Sequence, residues 1–408
     1  MCEARKQRGI LIAAIAKIIQ KGKAWIVPSQ SGNGKYTVVP DPQAPFCSCP
    51  DFEATGQTCK HLYAVEIVIQ REFSFSETET ETSTTRTVTI TETVKKPTYT
   101  QDWPAYNAAQ TNEKKHFQVL LRDLCENASD PILSDKGRPP ISVKDALFAC
   151  VFKVYSTVST RRFMVDMNEA KDKGFIDKAM SYNTICRYLE SPLLTPILTD
   201  MIVRSSLPLR EIEDDFAIDS SGFTSSRFTR WFDVKYGKFC EEHTWVKAHI
   251  ACGTNTHIVT AVSIYDKNSN DSPIMPELLA QTAKNFTIRQ VSGDKQYASQ
   301  DNFKAIAKYG SEAYIMFREG ITGGCGGLFQ KAFHYFSLNR EAFLEKYHHR
   351  SNVESTFSAV KRKFGDSIRS KTDIAMKNEV LAKILCHNLT VLIHEMYEHG
   401  IDAKLLSA

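Results

Sequence analysis

Apolar positions recur at helical spacing through residues 113–208, as in Ala146, Phe148, Val151, Phe152 and Tyr155, with Pro139-Pro140 just ahead as a helix-start signal. This stretch is predicted to be a helical subdomain. From residue 215 the pattern changes to short β-type runs, Phe216 to Ile218, Trp245 to Ala251 and His257 to Ile264, parted by turns such as Cys252-Gly253-Thr254-Asn255. Three such runs in succession predict an antiparallel meander. Beyond them the spacing predicts a helix over Pro276 to Ala283, a strand over Ile288 to Val291, a helix over Asn302 to Lys308, a strand over Ala313 to Phe317 and a long helix from about Leu344 to Phe364. The order is β-β-β-α-β-α-β-α, a mixed α/β arrangement of a meander followed by crossovers.

Towards the N-terminus the pattern is different. Residues 76–100 contain 11 Thr in 25 positions and almost no large apolar side chains, too little to offset the entropy of ordering. A Thr-rich linker is therefore expected over 76–112, although the alternation Thr87-Val88-Thr89-Ile90-Thr91 also suits an edge strand. Ahead of it, two short strands (Ala24 to Val27, Tyr36 to Val39) and a helix beginning near His61 make a small ββα module. The predicted division is 1–75 for this module, 76–112 for the linker, 113–208 for the helical region, 209–395 for the α/β domain and 396–408 for a tail. A chain of 408 residues is two to three times a common domain size, which agrees with more than one folding unit.

Composition changes this picture little. Fifty-one Lys and Arg against forty-seven Asp and Glu leave +4, which permits a polyanionic partner without requiring one. Eleven cysteines are too dilute for a disulfide scaffold and point to a reducing compartment. The apolar run Ile10 to Ile19 is interrupted by Lys17, and no stretch approaches the roughly 20 apolar residues of a membrane span. A cytoplasmic protein without membrane contact is expected. The run Gly320-Ile321-Thr322-Gly323-Gly324-Cys325-Gly326-Gly327 lacks the Gly-Lys-Ser/Thr ending of a phosphate cradle and is expected to be a mobile surface loop.

Chemistry first concentrates at Cys47-Ser-Cys49 and Cys59-Lys-His61, four soft or borderline ligands within fifteen residues. A Cys3His set suits one tetrahedral Zn²⁺ and leaves no position for water, so the ion would be structural. In so small a module, metal binding is largely folding free energy. The spacing C-x-C-x9-C-x-H resembles the SWIM zinc finger over residues 8–70. That resemblance implies binding of DNA or protein.

Two carboxylates end apolar strands: Asp219 in Phe216-Ala217-Ile218-Asp219-Ser220-Ser221-Gly222, and Asp294 in Val291-Ser292-Gly293-Asp294-Lys295. Charge at the end of a buried strand invites a shared metal, and in this topology the first and fourth strands are neighbours. The other reading is that each Asp caps a turn. Asp214 and Asp215 rival Asp219, but their place before the strand predicts a solvated lead-in. On the last helix Tyr347, Arg350, Glu354 and Lys361 stand at offsets 0, 3, 7 and 14, one face at 3.6 residues per turn, suiting either a site or a solvated ion-pair stripe. Residues 346–371 hold seven Lys or Arg against two acids, a local charge of +5 that exceeds the whole chain's +4. Lys361-Arg362-Lys363 therefore reads as a phosphate track or as an ordinary solvated helix face.

The element order is that of the ribonuclease H-like fold, and the helix carries Y-x2-R-x3-E-x6-K in full. On these residues the chain resembles the DDE transposases of prokaryotic insertion sequences over roughly residues 135–395; the segments around Asp219 and Gly293-Asp294-Lys295-Gln296-Tyr297 agree, with Gln296 where that group often has Gly. The resemblance implies a catalytic triad of Asp219, Asp294 and Glu354 holding two Mg²⁺ or Mn²⁺ ions. It also implies DNA-backbone contacts from Tyr347, Arg350 and Lys361, with Arg362 and Lys363 beside them. The expected activity is metal-dependent cleavage of transposon ends and strand transfer into target DNA. Expected partners are double-stranded DNA, as terminal inverted repeats and target, and a second copy of the chain in a dimeric active complex, in a prokaryotic cytoplasm near the nucleoid. A non-catalytic DNA-binding descendant and a nuclease of the same fold without strand transfer are the alternatives. Ser181 to Leu189 suits the second helix of a helix-turn-helix, with Arg161-Arg162 on the backbone, or plain helical packing.

Overall fold

A computed structural model of the chain describes residues 2–21, 24–30, 34–41, 43–74, 102–126, 128, 141–225, 245–266, 269–318, 320–321, 324, 326–403 and 405. Residues 76–101 of the linker expected over 76–112, the Pro139-Pro140 signal and part of the glycine-rich run at 320–327 lie outside the described residues. Two compact units result, Met1–Pro97 and Thr98–Ala408.

In the first unit, α1 (Cys2–Ile15) precedes an antiparallel sheet of β1 (Ile19–Lys21), β2 (Ala24–Pro28), β3 (Lys35–Val39) and β4 (Phe46–Cys47), in that spatial order. Alternation along β2 buries Trp25 and Val27 and leaves their neighbours half-exposed, as a one-sided sheet requires. Two helices follow, α2 (Pro50–Thr55) and α3 (Lys60–Ser74), the second contributing Leu62, Ala64 and Val65 to the core. Helices α1 and α3 approach closely at Gly9, where an added Cβ would lie 2.5 Å from Tyr63 Cβ.

The second unit begins with α4 (Trp103–Glu126), α5 (Val143–Ser156), α6 (Met164–Asp172), α7 (Tyr182–Leu189) and α8 (Leu194–Ser206). Since α4 starts at Trp103, residues 103–112 are helix and not linker. The sheet then forms from β5 (Asp215–Thr224), β6 (Trp245–Gly253), β7 (Val259–Asp266), β8 (Gln290–Gly293) and β9 (Glu312–Ile315), in spatial order β7-β6-β5-β8-β9. The first three strands run antiparallel, and β8 and β9 run parallel to β5, each reached through a crossover helix, α9 (Met275–Thr282) or α10 (Gln300–Ala307). This is the expected ribonuclease H-like order. Helices α11 (Gly327–Leu338), α12 (Arg340–Tyr347), α13 (Ser351–Phe364) and α14 (Asp373–Glu398) complete it.

Two apolar cores flank the sheet. One face packs Phe216, Ile218 and Val291 against Leu278 of α9 and Phe303 of α10. The other packs Ala217, Phe223 and Ile250 with Val353 and Phe357 of α13, and this core continues without a break into Phe117, Phe148, Phe152 and the buried length of α14. The helical region thus shares a core with the sheet. Several bounds differ from expectation for physical reasons. β5 extends six residues past Ile218, because β6 supplies backbone partners as far as Thr224. β7 starts at Val259, since His257 sits at φ +64°, a left-handed conformation that ends a turn and does not open a strand. The expected single helix from Leu344 to Phe364 is broken: α12 ends at Tyr347, His348–Arg350 form a 3-10 turn, and α13 begins at Ser351. Among the described residues no helix is long and apolar enough to cross a membrane.

Candidate functional site

Cys47 ends β4, Cys49 caps α2, and Cys59 and His61 straddle the start of α3, so three chain turns converge on one point. All four side chains are buried, with a ligand atom of each within 4.8 Å of the others. His61 Nδ1 lies 3.8 Å from Cys47 Sγ and 3.9 Å from Cys59 Sγ. Ligands around one tetrahedral Zn²⁺ stand about 3.5 Å apart, so the two His61–Cys spacings are within a few tenths of an ångström of what that ion requires. The Phe52 amide donates to Cys49 Sγ at 3.4 Å, stabilising negative sulfur at a helix start. A hydrogen bond from Cys47 lowers the Cys59 thiol to about 3, while burial raises Cys49.

The acidic site is built differently. Ile218 and Gly293 are register partners across β5 and β8, so Asp219 and Asp294 are the next residues on adjacent parallel strands. Glu354 lies in the first turn of α13, which packs over β5. The Arg350 guanidinium joins two of the three: Nη2 sits 2.6 Å from Glu354 Oε1 and Nη1 3.4 Å from Asp219 Oδ2. Asp219 also accepts from the Ser220 amide at 2.8 Å. Burial pushes its carboxyl up to about 6, against that amide and Arg350, with the charges of Asp294 and Glu354 adding to the rise. Asp294 accepts from the Lys295 amide at 2.7 Å and so does cap a turn. Unlike the Cys3His set, the three carboxylates are not among the groups of described residues whose ligand atoms all lie within 4.8 Å of one another.

Asp219 and Glu354 line a cleft of about 990 Å³. Lys361, Arg362 and Lys363 line it too, but they are not equivalent. Lys361 donates to Ser221 Oγ at 2.7 Å and covers the Phe223 ring at 5.1 Å, and Lys363 is paired with Glu113 of α4. Arg362 is exposed and donates a long 3.5 Å bond to Ser358. Tyr347 stacks on Phe343 and carries Arg350 at 5.9 Å from its ring centroid. The break before α13 means that Tyr347, Arg350, Glu354 and Lys361 are brought together by a turn and a helix start, not by one continuous helix face.

Other expected placements change. Asp215 is no solvated lead-in: it is 4% exposed and held by Arg289 at 2.6 Å, whereas Asp214 is half-exposed and shares that arginine. Helix α7 has Ser181 as its N-cap and buries Ile185 and Leu189, while Arg161 stacks on Tyr182 at 4.9 Å. Residues 173–181 separate it from α6, longer than the three- or four-residue turn of a helix-turn-helix. Sequence reasoning missed the far wall of the cleft, formed by Lys153 of α5 and Thr157 just after it, and by Arg369, Glu379 and Lys383 around the start of α14. The available signal was a lone Lys inside the apolar run from Ala146 to Tyr155.

With this geometry in view, residues 211–389 match the family model of the transposase DDE domain, and residues 36–70 that of the SWIM zinc finger. The chain is thus similar to the SWIM zinc finger around its Cys and His ligands and to the transposase DDE domain from the approach to β5 into α14. The DDE match begins four residues before β5 and ends within α14, so the helices from α4 to α8 fall outside it although they share its core. The SWIM match contains all four zinc-type ligands and omits α1 and β2. No curated protein matches the chain. Among solved structures, similarity extends to a piggyBac transposase in a synaptic complex with hairpin DNA, at 10% identity and a TM-score of 0.34, covering 74% of this chain and 78% of that one.

Proposed function

We propose that the protein is a DNA transposase that cleaves transposon ends and transfers the freed strand into target DNA. The observation that carries this reading is the pairing of Asp219 and Glu354 through one arginine inside a cleft walled by cations, with Asp294 ending the strand next to that of Asp219, within the region that matches the DDE domain. Asp219, Asp294 and Glu354 would hold two Mg²⁺ or Mn²⁺. Bound there, the ions supply an activated attacking oxygen and a stabilised leaving oxygen for in-line displacement at phosphorus. The chain's own residues orient the reaction. Lys361 and Arg362 receive backbone phosphates, and Tyr347 fixes Arg350 beside the acids. In cleavage, the oxygen of water bonds to phosphorus as the strand's 3′-oxygen leaves and takes up a proton. In transfer, that 3′-hydroxyl attacks a target phosphodiester, and the target's own 3′-oxygen leaves. Joining two ends requires two such sites, hence a dimeric active complex, and the SWIM module serves recognition of DNA or protein.

The test is incubation of the full chain with its candidate terminal repeats, Mg²⁺ and a second DNA. End cleavage with joining is expected. Cleavage without joining would make the protein a nuclease, and binding without cleavage a DNA-binding descendant.

A further inference from the structure

Lys153 is out of place by every ordinary rule for lysine. It sits near the C-terminal end of α5, is only 6% exposed and lines the cleft that contains Asp219 and Glu354. Among the described residues its ammonium makes no hydrogen bond and no ion pair within 4 Å. The contrast with Lys383, equally buried in the same wall, is direct. Lys383 donates to the carbonyls of Gly365 (2.9 Å) and Ser367 (2.8 Å), lies 3.8 Å from Glu379 and covers the Phe223 ring. Glu379 draws Lys153 only at longer range. Its own oxygens are engaged by the Arg369 amide, by the Ser370 amide and hydroxyl, and by Lys383. A buried cation without a partner is costly, and burial accordingly lowers the proton affinity of Lys153. An anion arriving in the cleft would remove that cost.

We propose that Lys153, with exposed Arg369 and Arg362 lining the same cleft, forms a subsite for a backbone phosphate of the DNA strand, separate from the phosphate that reacts at Asp219 and Glu354. The inference rests on the proposed function, because it takes the cleft's ligand to be DNA. It gives α5, which lies outside the matched DDE domain, a direct part in holding substrate. The chemistry is that of a phosphate oxygen accepting charge-assisted hydrogen bonds in a partly dry wall. No signature residue of the family is involved.

The experiment uses the full chain, a fluorescein-labelled DNA duplex of random sequence and Ca²⁺ in place of Mg²⁺, with anisotropy read across a salt series. Each phosphate contact contributes about 0.9 to the slope of log K against log salt. Lys153→Met should reduce the slope by about that amount and weaken binding about tenfold, while raising the thermal midpoint by removing an unpartnered buried charge. Lys153→Arg should keep the wild-type slope. Lys304→Met, an exposed lysine on α10, should change nothing. If Lys153→Met does not fold, Arg369→Gln on the exposed rim of the same wall should show the same loss of slope. A folded Lys153→Met or Arg369→Gln protein with the wild-type slope and affinity would overturn the subsite while leaving the transposase reading intact. Wild-type protein that bound no DNA in salt-dependent fashion would overturn both.

Discussion

The Cys3His site and the proposed acidic metal site of this chain gather ligands by opposite designs. At Cys47, Cys49, Cys59 and His61 every donor is buried, all four lie within 4.8 Å of each other, and no position remains for a substrate. At Asp219, Asp294 and Glu354 the donors come from two strands and a helix. Glu354 is 56% exposed at its side chain, and an arginine occupies the space between two of the acids. The first design converts metal affinity into folding free energy, and the second keeps the carboxylates apart until something else brings charge to them. Stability and chemistry are thus assigned to different ends of the chain, and each assignment can be broken on its own.

The largest effect should come from breaking the closed site. Structural zinc in a small module contributes on the order of 10 kcal/mol to folding. Chelation, or Cys49→Ser, should therefore abolish hydrogen-exchange protection of the amides in β2, β3 and α3 while leaving those of α14 and the five-stranded sheet unchanged. Metal analysis of the untreated chain should give about one zinc. Protection that survived chelation in the first unit would mean that the apolar core of Trp25, Val38 and Leu62 suffices without an ion.

Breaking the open site should cost activity and not fold. Asp219→Asn, Asp294→Asn and Glu354→Gln each remove one charged donor from a site worth several kcal/mol to the transition state, a factor of roughly 10³ or more in cleavage rate. DNA binding by anisotropy should persist in all three. Any of the three that cleaved at the wild-type rate would be removed from the site.

What the sequence disclosed follows the same division. Cys47, Cys49, Cys59 and His61 were legible because a closed ligand set is local: its spacing is written within fifteen residues. The strands around Asp219 and Asp294 were legible because apolar runs on a sheet buried on both faces leave a plain trace, and register then makes the two acids neighbours. The wall containing Lys153 was not, since it depends on α5 packing beside a loop more than 200 residues later in the chain. Nor was the break at His348–Arg350 visible, because a 3-10 turn keeps nearly the spacing of a helix while changing the direction of its axis. Burial of Asp215 was missed for a third reason: its partner Arg289 arrives at the mouth of β8, a contact that only the crossover creates.

A smaller effect sharpens the contrast through pH. Asp219 carries a carboxyl raised by burial from its ordinary 3.8 to about 6. The folded chain then binds a proton that the unfolded chain releases between those values, so this group's contribution to stability falls as pH rises from about 4 to 6 and is lost above. In metal-free buffer, Asp219→Asn should equal wild type in stability near pH 4 and exceed it above pH 6, by at most about 3 kcal/mol. Denaturant midpoints of the two proteins across that range measure the difference, together with the smaller change in the titration of neighbouring Asp294 and Glu354. Equal midpoints at all pH values would show that the carboxylate is already compensated by Arg350.

Arg350 supplies the last and finest test. In the metal-free chain it is the counter-ion of both Asp219 and Glu354, and a half-buried pair of this kind contributes about 1 kcal/mol. Arg350→Met should therefore lower the thermal midpoint by a few degrees, since three acids are left to repel one another. Divalent cations should reverse that loss. Mn²⁺ competes with the guanidinium in the wild-type protein and has no competitor in the variant, so the Mn²⁺-induced rise in midpoint should be larger for Arg350→Met than for wild type. The zinc site offers no such exchange, because no cationic side chain stands among its four ligands. If Mn²⁺ raised both midpoints equally, Arg350 and the ion would not share the carboxylates, and the open site would be no more exchangeable than the closed one.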